Sequence, residues 1–355
     1  MHTFKKYIYL FLFFGVFFWL IFFLFWDEYK DFRENQLEIT QYKQQLVEYH
    51  GNFHHEDIIK LWQSVYLHST PDLEFLNKLV NHIDGADTRV WLEVYIFTEK
   101  RILESLIRAH KRGVNVKVLL ENNPYMAPHL NNKHYETLQK AGIPVRWSDP
   151  LNYALNHSKF ILIDEKVFIS TGNYSYSSFN FNRDIFLEIH HKEIFDALKQ
   201  LFLYDYNHTA LWILHPNILI SPDNSRQKIE SLFTHATQSI DMYFPYIADR
   251  QLLALVIETA QRWIDIRFIL WENAQENSQD EVKRLIDAWV DVFFMRRPKL
   301  HTKSILMDQE ILYIWSINFS FHSMDSNREV WLLLKDAHII TEFKEIFDND
   351  IFLLK

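Results

Sequence analysis

The sequence predicts an α/β fold made of two similar halves and preceded by a membrane-spanning helix. The segment that starts at Val90 recurs, without a gap, in the segment that starts 150 residues later at Ile240. In each copy, apolar runs rich in β-branched and aromatic residues alternate with a helical stretch, as in a β-α-β unit. Near the N-terminus lies a long run without charged residues, Tyr7–Trp26.

The run Tyr7–Trp26 is long enough to form a helix of about 30 Å, the thickness of a bilayer's hydrocarbon core. Lys5 and Lys6 precede it, and Asp27 and Glu28 follow it. The positive-inside rule therefore places the short N-terminus in the cytoplasm. A cleavable signal peptide is the alternative, but no small-residue cleavage site follows the run. We predict a single-pass protein of the cell membrane in which the residues after the run are extracytoplasmic.

Each β-α-β unit predicts a mostly parallel sheet with helices on both faces. In the first copy, VWLEVYIF and VNVKVLL flank a helical stretch that ends at Gly113, and the second copy occupies Ile240–Leu270. The interval from Asn207 to Ser225 is expected to join the halves. The predicted divisions are a cytoplasmic N-terminus and anchor (residues 1–26), a polar stalk (27–60), a first half (61–207) and a second half (208–355).

The composition excludes several kinds of chemistry. The chain of 355 residues has no cysteine, so it has neither disulfides nor a thiolate nucleophile. Its formal net charge of -9 disfavours an extended surface for duplex nucleic acid. Its 18 histidines show no compact ligand spacing such as His-Glu-x-x-His. We therefore expect neither a metal nor another cofactor.

The pattern His-x-Lys-x-x-x-x-Asp occurs twice, at equivalent points of the two copies. The candidate catalytic residues are His157, Lys159 and Asp164 in the first copy and His301, Lys303 and Asp308 in the second. Because side chains alternate along a strand, the histidine and lysine of each copy point the same way. The aspartate has the opposite parity and falls at a turn, which favours a structural role over a chemical one.

Two imidazoles and two ammonium groups can act on a phosphodiester without a metal. A neutral imidazole can attack phosphorus and form a phosphohistidine. The second imidazole can protonate the leaving oxygen and then activate the acceptor, while the lysines hold the non-bridging oxygens. The duplicated motif therefore predicts an enzyme that acts on phosphate esters and uses both copies in one site.

Further polar residues recur at matched distances beyond the two motifs. Asp184 and Glu329 follow their histidines by 27 and 28 residues. A carboxylate there can accept a hydrogen bond from an imidazole Nδ1 and leave Nε2 free to attack. Hydroxyl and amide groups nearer the motifs are expected to complete a phosphate cradle. These candidate phosphate-binding residues are Thr171, Asn173, Ser316 and Asn318.

The segments HSKFILID with STGN and NRD, and HTKSILMD with WSIN and NRE, resemble the two motifs of the phospholipase D superfamily. Their surroundings are similar to its bacterial cardiolipin-synthase branch, over about residues 61–355. The resemblance implies two pseudo-symmetric α-β-α halves with one active site at their interface, His157 as nucleophile and His301 as general acid and base. It also implies a phosphatidyltransferase or phospholipase D-type hydrolase that acts on phospholipids.

Two alternatives stay open. The first motif lacks the His-Arg-Lys form of the cardiolipin-synthase branch and is similar to the nuclease type, which favours an anchored or exported nuclease. A catalytically inactive scaffold is opposed by the intact histidines and lysines. The anchor favours lipid because it holds the site within reach of a bilayer. The basic run Arg296–Lys303 fits a solvated loop and an anion-steering surface equally well.

Overall fold

Two seven-stranded sheets organise the part of the chain that the structure describes. The computed structural model describes residues 58–61, 64–151, 153–209, 215–223 and 225–355, all within one compact unit. The predicted anchor Tyr7–Trp26 and most of the predicted stalk lie outside these residues. Within them, no helix is both long enough and apolar enough to cross a membrane.

The elements of the first half, in chain order, are β1 (Val65–Ser69), α1 (Leu73–Asp84), β2 (Arg89–Val94), α2 (Lys100–Lys111), β3 (Asn115–Leu120), α3 (Asn132–Lys140), β4 (Val145–Trp147), β5 (Lys159–Ile163), β6 (Lys166–Ser170), α4 (Tyr176–Asn180), β7 (Asn182–Arg183), β8 (Ile185–Ile189) and α5 (Lys192–Asn207). The sheet of this half has the strand order β1-β8-β6-β5-β2-β3-β4. Strand β7 stands outside this sheet and pairs with a strand of the other half.

The elements of the second half are β9 (Ile218–Ser221), α6 (Ser225–His235), β10 (Ser239–Phe244), β11 (Ile247–Ala248), α7 (Arg250–Ala260), β12 (Asp265–Trp271), α8 (Ala274–Asn277), α9 (Gln279–Asp287), β13 (Asp291–Met295), β14 (Lys299–Leu300), β15 (Ser304–Met307), β16 (Ile311–Trp315), β17 (Phe319–Ser320), α10 (Phe321–Asp325), β18 (Glu329–Leu334) and α11 (Ala337–Leu354). Its sheet has the order β9-β18-β16-β15-β10-β12-β13, which corresponds strand by strand to that of the first sheet. The predicted duplication of an α/β unit is confirmed.

The prediction of mostly parallel sheets is wrong, because both sheets are mixed. In the first sheet β2, β3 and β4 run parallel, as the β-α-β pattern predicts. The motif strand β5 then enters beside β2 in the antiparallel direction and turns back into β6, and β8 and β1 continue antiparallel. Only Asp164 and Glu165 separate β5 from β6, and so short a turn forces this pair to be antiparallel, because a parallel neighbour needs a long crossover.

The interval expected to join the halves contains strand β9, which pairs with β18 at the edge of the second sheet. This edge strand is short, and its apolar residues read as part of a linker in the sequence. Of the predicted stalk, residues 58–60 are described, and the N–H of Ile59 donates to Asn217 Oδ1 at 3.0 Å. The described end of the predicted stalk is therefore held against the globular part.

One apolar core is shared by the two halves. It contains buried side chains of the first sheet, such as Phe160 and Ile185, and of the second, such as Leu306 and Ile314, together with helices α5 and α11. Separate cores lie under α1 and α2 and under α6 and α7. Each fully buried large aliphatic or aromatic side chain contributes about 1.5–3 kcal/mol. The shared core therefore fixes the two motif strands relative to each other.

Candidate active site

Each motif histidine is hydrogen-bonded to a carboxylate of the other half. His157 Nδ1 lies 2.8 Å from Glu329 Oε2, and His301 Nδ1 lies 2.8 Å from Asp184 Oδ1. Because an ionised carboxylate only accepts, each Nδ1 carries the hydrogen and each Nε2 keeps its lone pair. The two carboxylates thus lie beside imidazoles as expected, but across the interface and not within their own repeat.

Two short parallel pairings of the backbone produce this crossing. Strand β14 pairs with β7, and Asn156 forms an isolated bridge with Arg328. The N–H of His301 donates to the carbonyl of Arg183 at 3.0 Å, and the N–H of His157 donates to the carbonyl of Arg328 at 2.8 Å. Each arginine directly precedes an orienting carboxylate in the sequence. These backbone hydrogen bonds therefore place each histidine beside the carboxylate that it contacts.

Burial and the attraction between partners set the protonation of the two histidines and the two carboxylates, which together with the two motif lysines we call the cluster. Burial lowers the pKa of His157 to about 4, against the opposing attraction of Glu329. Burial likewise lowers the pKa of His301. Burial alone would raise the pKa of Glu329 and of Asp184, but the adjacent histidines and lysines lower the pKa of both below its usual value. At neutral pH the imidazoles are therefore neutral and both carboxylates are ionised.

The motif lysines are buried in the same cluster. Lys159 Nζ donates to the carbonyl of His157 at 2.5 Å, and Lys303 Nζ donates to the carbonyls of His301 at 2.6 Å and Thr171 at 3.2 Å. Burial lowers the pKa of Lys303 to about 8. Burial also lowers the pKa of Lys159, and repulsion by Lys303 lowers it further. An anionic ligand between the lysines would favour both charges.

The two hydroxyls expected in the phosphate cradle are turned toward the orienting carboxylates. Thr171 Oγ1 donates to Asp184 Oδ1 at 3.0 Å. The Ser316 hydroxyl hydrogen-bonds to Glu329 and helps to lower the pKa of that carboxyl, which burial alone would raise. A hydroxyl has a single hydrogen, and here that hydrogen is used on a carboxylate. The geometry therefore disfavours direct phosphate contact by these two residues.

The two asparagines keep amide hydrogens available. Asn173 Oδ1 accepts from the N–H of Ile96 at 3.2 Å, whereas its Nδ2 has no hydrogen bond among the described residues. The Asn318 side chain is partly exposed and makes no hydrogen bond within residues 225–355 or the other described ranges. Each asparagine follows, by two residues, a hydroxyl that binds an orienting carboxylate. The NH₂ groups of these two asparagines are therefore neutral donors without a partner among the described residues.

Asp164 and Asp308 lie beyond the opposite ends of the motif strands from the lysines. Both adopt the left-handed backbone, with φ of 52° and 51°, which aspartate tolerates. Burial alone would raise the pKa of either carboxyl, but hydrogen bonds from the chain segment that precedes β2 or β10 lower it. The donors are the N–H groups of Asp87, Thr88 and Arg89 for the first and of Thr237, Gln238 and Ser239 for the second. The aspartates therefore tie each hairpin to its sheet.

Two residues of the site were not singled out from the sequence. A Cβ at Gly172 would lie 2.6 Å from the Asp184 carboxyl carbon, so the close approach of this carboxylate requires glycine. Asn156 Oδ1 accepts from the N–H of Ser158 at 3.0 Å and braces the motif backbone. The available signals were a glycine between Thr171 and Asn173 and an asparagine directly before the motif.

A buried carboxyl pair lies behind Asn156. Glu93 Oε1 accepts from Asn156 Nδ2 at 2.9 Å, and Asp205 Oδ1 accepts from Arg328 Nε at 3.2 Å. The second oxygens, Glu93 Oε2 and Asp205 Oδ2, have no donor among the described residues. Burial, and next the Asp205 carboxylate, raise the pKa of Glu93 well above its usual value. Burial also raises the pKa of Asp205, against the attraction of Arg328. We therefore expect the pair to hold one proton, carried mainly by Glu93 and shared between the two oxygens that lack another donor.

We predict that Glu93→Gln is tolerated, whereas Asp205→Asn destabilises the protein by about 1.5–3 kcal/mol, because the buried Arg328 then keeps only the more exposed Asp223 as a carboxylate partner among the described residues. The glutamine carbonyl can accept from Asn156, and its NH₂ can donate to Asp205. Because the folded-state pKa of Glu93 is raised, the wild type loses stability as the pH rises above the unfolded-state pKa. Denaturant unfolding should show Glu93→Gln becoming more stable relative to the wild type between pH 4 and pH 8. A difference that does not vary with pH would contradict the protonated carboxyl.

The cluster contains the groups for acid-base and nucleophilic chemistry on an anion. Within the residues that the structure describes, no group of three or more histidine, cysteine, aspartate or glutamate side chains is arranged to hold a metal ion. The ring edge of Tyr95 packs on His157, with 4.5 Å between the ring centres. This contact excludes water from one side of the imidazole.

Comparison with known proteins relates both halves to one family. The family described as "Cardiolipin synthase, PLD-like domain" matches residues 79–206 and 229–351. Cardiolipin synthase 2 of Bacillus cereus is 25% identical over 328 residues, which cover 78% of this chain and 63% of the relative. Cardiolipin synthase of Listeria monocytogenes is 24% identical over 331 residues, which cover 78% of this chain and 67% of the relative. The chain thus spans about two thirds of the length of these relatives.

Solved structures share the fold at low sequence identity. The crystal structure of a phosphatidylserine synthase from Haemophilus influenzae matches with a TM-score of 0.69 and 15% identity, over 87% of this chain and 90% of that one. A polyphosphate kinase from Porphyromonas gingivalis matches with a TM-score of 0.64 and 15% identity, over 82% of this chain and 51% of that one. Identities this low show the fold alone.

Proposed function

The chain belongs to the family of cardiolipin synthases with phospholipase D-like domains, and from this premise we propose that it is a phospholipase D-type phosphatidyltransferase or hydrolase that acts on phospholipids. The family resemblance of the two motifs is confirmed. One observation supports the proposal most directly. Two neutral imidazoles, each hydrogen-bonded to a carboxylate of the other half, share one site with two buried lysines. This set of groups suits a phosphodiester and a covalent phosphohistidine.

In the first step, His157 Nε2 attacks the phosphorus. A P–N bond forms as the bond to the leaving oxygen breaks, and His301 gives that oxygen a proton. His157 suits the nucleophile because its side chain is 8% exposed and its pKa of about 4 keeps the lone pair free. His301 is the more open, at 23% exposure. An anionic phosphate beside it, together with Asp184, favours its protonated form before the leaving group departs.

In the second step, water or an alcohol takes the place of the leaving group. His301 Nε2, now neutral, accepts the acceptor's proton as the new O–P bond forms and the P–N bond breaks, which restores His157. Lys159 and Lys303 hold the non-bridging oxygens, and the amides of Asn173 and Asn318 are the further donors we assign to them. In this proposal Thr171 and Ser316 position the carboxylates. Fixed donors of this kind stabilise charge that develops in the transition state.

The function is tested by incubating the purified protein separately with phosphatidylglycerol vesicles, single-stranded DNA and a chromogenic phosphodiester, with and without prolonged EDTA treatment. We expect conversion of the lipid to phosphatidic acid or to a transfer product, intact DNA and no loss on chelation. Cleavage of DNA with lipid left untouched would instead establish the nuclease alternative. Loss of activity that a divalent ion restores would contradict the metal-free mechanism.

The lysines predict a specific pH dependence. Burial lowers the pKa of Lys303 to about 8, so its charge is lost as the pH rises through that value in the free protein. A bound phosphate raises the lysine pKa again. The alkaline limb of kcat/KM, which reports free enzyme, should therefore lie near pH 8, and the limb of kcat should lie higher. Coincident limbs for the two parameters would show that these lysines do not contact the phosphate.

We further propose that Tyr7–Trp26 anchors the protein in the cell membrane and that residues 27–60 tether an extracytoplasmic catalytic region. The support is the uncharged length of the run, with lysines before it and acidic residues after it. An external protease added to spheroplasts should digest the catalytic region while a cytoplasmic control protein stays intact. Protection of the catalytic region would mean the inverted orientation, which leaves the lipid substrate possible because both leaflets contain phospholipid.

A further inference from the structure

Two arginines occupy equivalent positions in the repeats, and each directly precedes an orienting carboxylate. Arg183 precedes Asp184, and Arg328 precedes Glu329. The proposed mechanism uses neither guanidinium group. Both groups nevertheless lie in the interface of the halves, where the Arg183 side chain is 15% exposed and the Arg328 side chain is 3% exposed. Burying a charge is costly unless it is paired and hydrogen-bonded, so each arginine needs a partner there.

The carboxylate that pairs with each arginine at the interface belongs to the other half. Arg183 Nη2 donates to Asp350 Oδ1 of α11 at 2.7 Å, and Arg328 Nε donates to Asp205 Oδ1 of α5 at 3.2 Å. The two aspartates are also equivalent, since each lies near the C-terminal end of a long helix that packs in the shared core. Two ion pairs therefore cross the interface. We name them the Arg183 clamp and the Arg328 clamp.

The backbone of each arginine also contacts the other half. The Arg183 carbonyl accepts from the N–H of His301 at 3.0 Å and from Thr302 Oγ1 at 2.8 Å. The Arg328 carbonyl accepts from the N–H of His157 at 2.8 Å. Each arginine thus binds a motif histidine with its carbonyl and the last helix of that same half with its guanidinium group. The orienting carboxylate is the next residue along the chain.

The clamps control a geometry that the apolar core does not. Apolar contact is non-directional, whereas a charge-assisted hydrogen bond favours one distance and one angle. Because Arg183 and Asp184 are neighbours in the chain, with Cα atoms about 3.8 Å apart, a shift of the arginine moves the carboxylate with it. The hydrogen bond from an imidazole to a carboxylate weakens steeply when its angle changes. Loss of a clamp should therefore disturb the orientation of one histidine.

The two clamps differ in what else holds the ion pair. The Arg328 guanidinium group has a second carboxylate within its own half, Asp223, at 3.3 Å. Arg183 has no carboxylate partner other than Asp350 among the described residues. Asp350 Oδ2 in turn accepts from the Tyr243 hydroxyl at 2.7 Å. The Arg183 clamp can therefore be broken from either side by a single substitution, which makes it the more sensitive of the two to test.

We propose that Arg183 and Arg328 are positioning residues, each of which aligns the motif histidine of the other half with its orienting carboxylate. The inference rests on the proposed function for the roles of the histidines. Arg328 then supports the nucleophile His157, and Arg183 supports the acid and base His301. Without its clamp, an imidazole can turn away from its carboxylate, and the tautomer with the hydrogen on Nδ1 is no longer enforced.

The leaving group distinguishes the two clamps. Two synthetic phosphodiesters are compared, one with a good aryl leaving group and one with a poor alkyl leaving group, and single-turnover rate constants are measured with enzyme in saturating excess. Arg183→Gln should lower the rate constant about 10–10²-fold for the alkyl ester alone, because the aryl group leaves without a proton. Asp350→Asn, which keeps an oxygen for Tyr243, should have the same effect. Arg328→Gln should slow both esters.

Arg267→Gln is the matched control. Arg267 is 24% exposed and is bound by Asp241 and Asp348, but all three residues belong to the second half. This variant should lose stability without a change in either rate constant, since a smaller folded fraction does not alter rate constants measured in this way. Unaltered rate constants in both clamp-arginine variants, or variants that do not differ in their leaving-group dependence, would overturn the inference.

An exchanged pattern would have a different meaning. If Arg183→Gln slowed both esters and Arg328→Gln slowed only the alkyl ester, the clamps would be supported, and the roles proposed for the two histidines would be overturned instead. Because neither ester is a lipid, the comparison does not depend on the phospholipid substrate. Failure of the inference and failure of the proposed function are therefore distinguishable.

The tautomer of His301 provides a readout that needs no turnover. In the full chain with histidine labelled with nitrogen-15, the shifts of Nδ1 and Nε2 show which nitrogen carries the hydrogen, and His301→Ala identifies the signals. We expect hydrogen on Nδ1 in the wild type and in Arg267→Gln, and a mixture of tautomers in Arg183→Gln and Asp350→Asn. An unchanged His301 in both of these variants would refute the Arg183 clamp even if the lipid chemistry is confirmed.

Discussion

Replacing either motif histidine with alanine should reduce phospholipid turnover by about 10⁴-fold or more, and the double variant should be little worse than either single one. In the proposed mechanism the nucleophile and the acid-base group act on the same phosphorus, so removal of one leaves little for the other to contribute. The two histidines come from different halves, which the shared core and the crossed carboxylates hold together. Initial rates of phosphatidic acid and transfer product measure the effect.

The two single variants should differ in the intermediate. His157→Ala cannot form a phosphohistidine, whereas His301→Ala should form one slowly and then retain it, because the acceptor is not activated. Rapid quenching and detection of protein-bound label would show this. His235→Ala, on the exposed end of α6, is a matched control and should keep full activity. Near-normal turnover in either motif variant would contradict a single composite site.

Replacing the orienting carboxylates with amides should reduce turnover by about 10²–10⁴-fold, because an amide can stabilise the wrong tautomer of the imidazole. The crossed pairing makes the prediction specific. Glu329→Gln should impair the nucleophile His157, although Glu329 belongs to the repeat that contains His301. Asp184→Asn should impair the acid and base His301, although Asp184 belongs to the repeat that contains His157.

The dependence of the rate on the leaving group distinguishes Glu329→Gln from Asp184→Asn. A chromogenic phosphodiester with a good leaving group needs no protonation in the first step, so Asp184→Asn should regain a fast burst of chromophore, and Glu329→Gln should not. Asp287→Asn, an exposed carboxylate on α9, controls for the loss of a charge and should behave as wild type. The reverse pattern of rescue would mean that His301 is the nucleophile.

Much of the architecture was available in the sequence. The gapless repeat from Val90 and from Ile240 predicted two related α/β units, because each unit has its own strand and helix periodicities. The two motifs identified the histidines and lysines, and the opposite parity of Asp164 and Asp308 favoured a structural role for them, which agrees with their hydrogen bonds to the backbone before β2 and β10. These features depend on local periodicity, which a sequence records directly.

The sheet type was misjudged for a physical reason. The β-α-β units are truly parallel, but β5, β6 and β8 add antiparallel strands to them. A strand that is buried on both faces has the same continuous apolar pattern whether its neighbour is parallel or antiparallel. Strand β9 was assigned to a linker, because only its pairing with β18 makes those few apolar residues an edge strand.

The sequence by itself determined which residues are the candidates for the chemistry, because residue type and motif spacing are properties of the chain. Only the tertiary structure decided their partners. Glu329 lies 172 residues from the histidine it binds, while the histidine of its own repeat is bound by Asp184. The same distances along the chain would permit pairing within each repeat. The crossed β-bridges exclude pairing within a repeat. They hold the N–H of each histidine on the carbonyl of an arginine of the other half, and that arginine directly precedes the carboxylate residue.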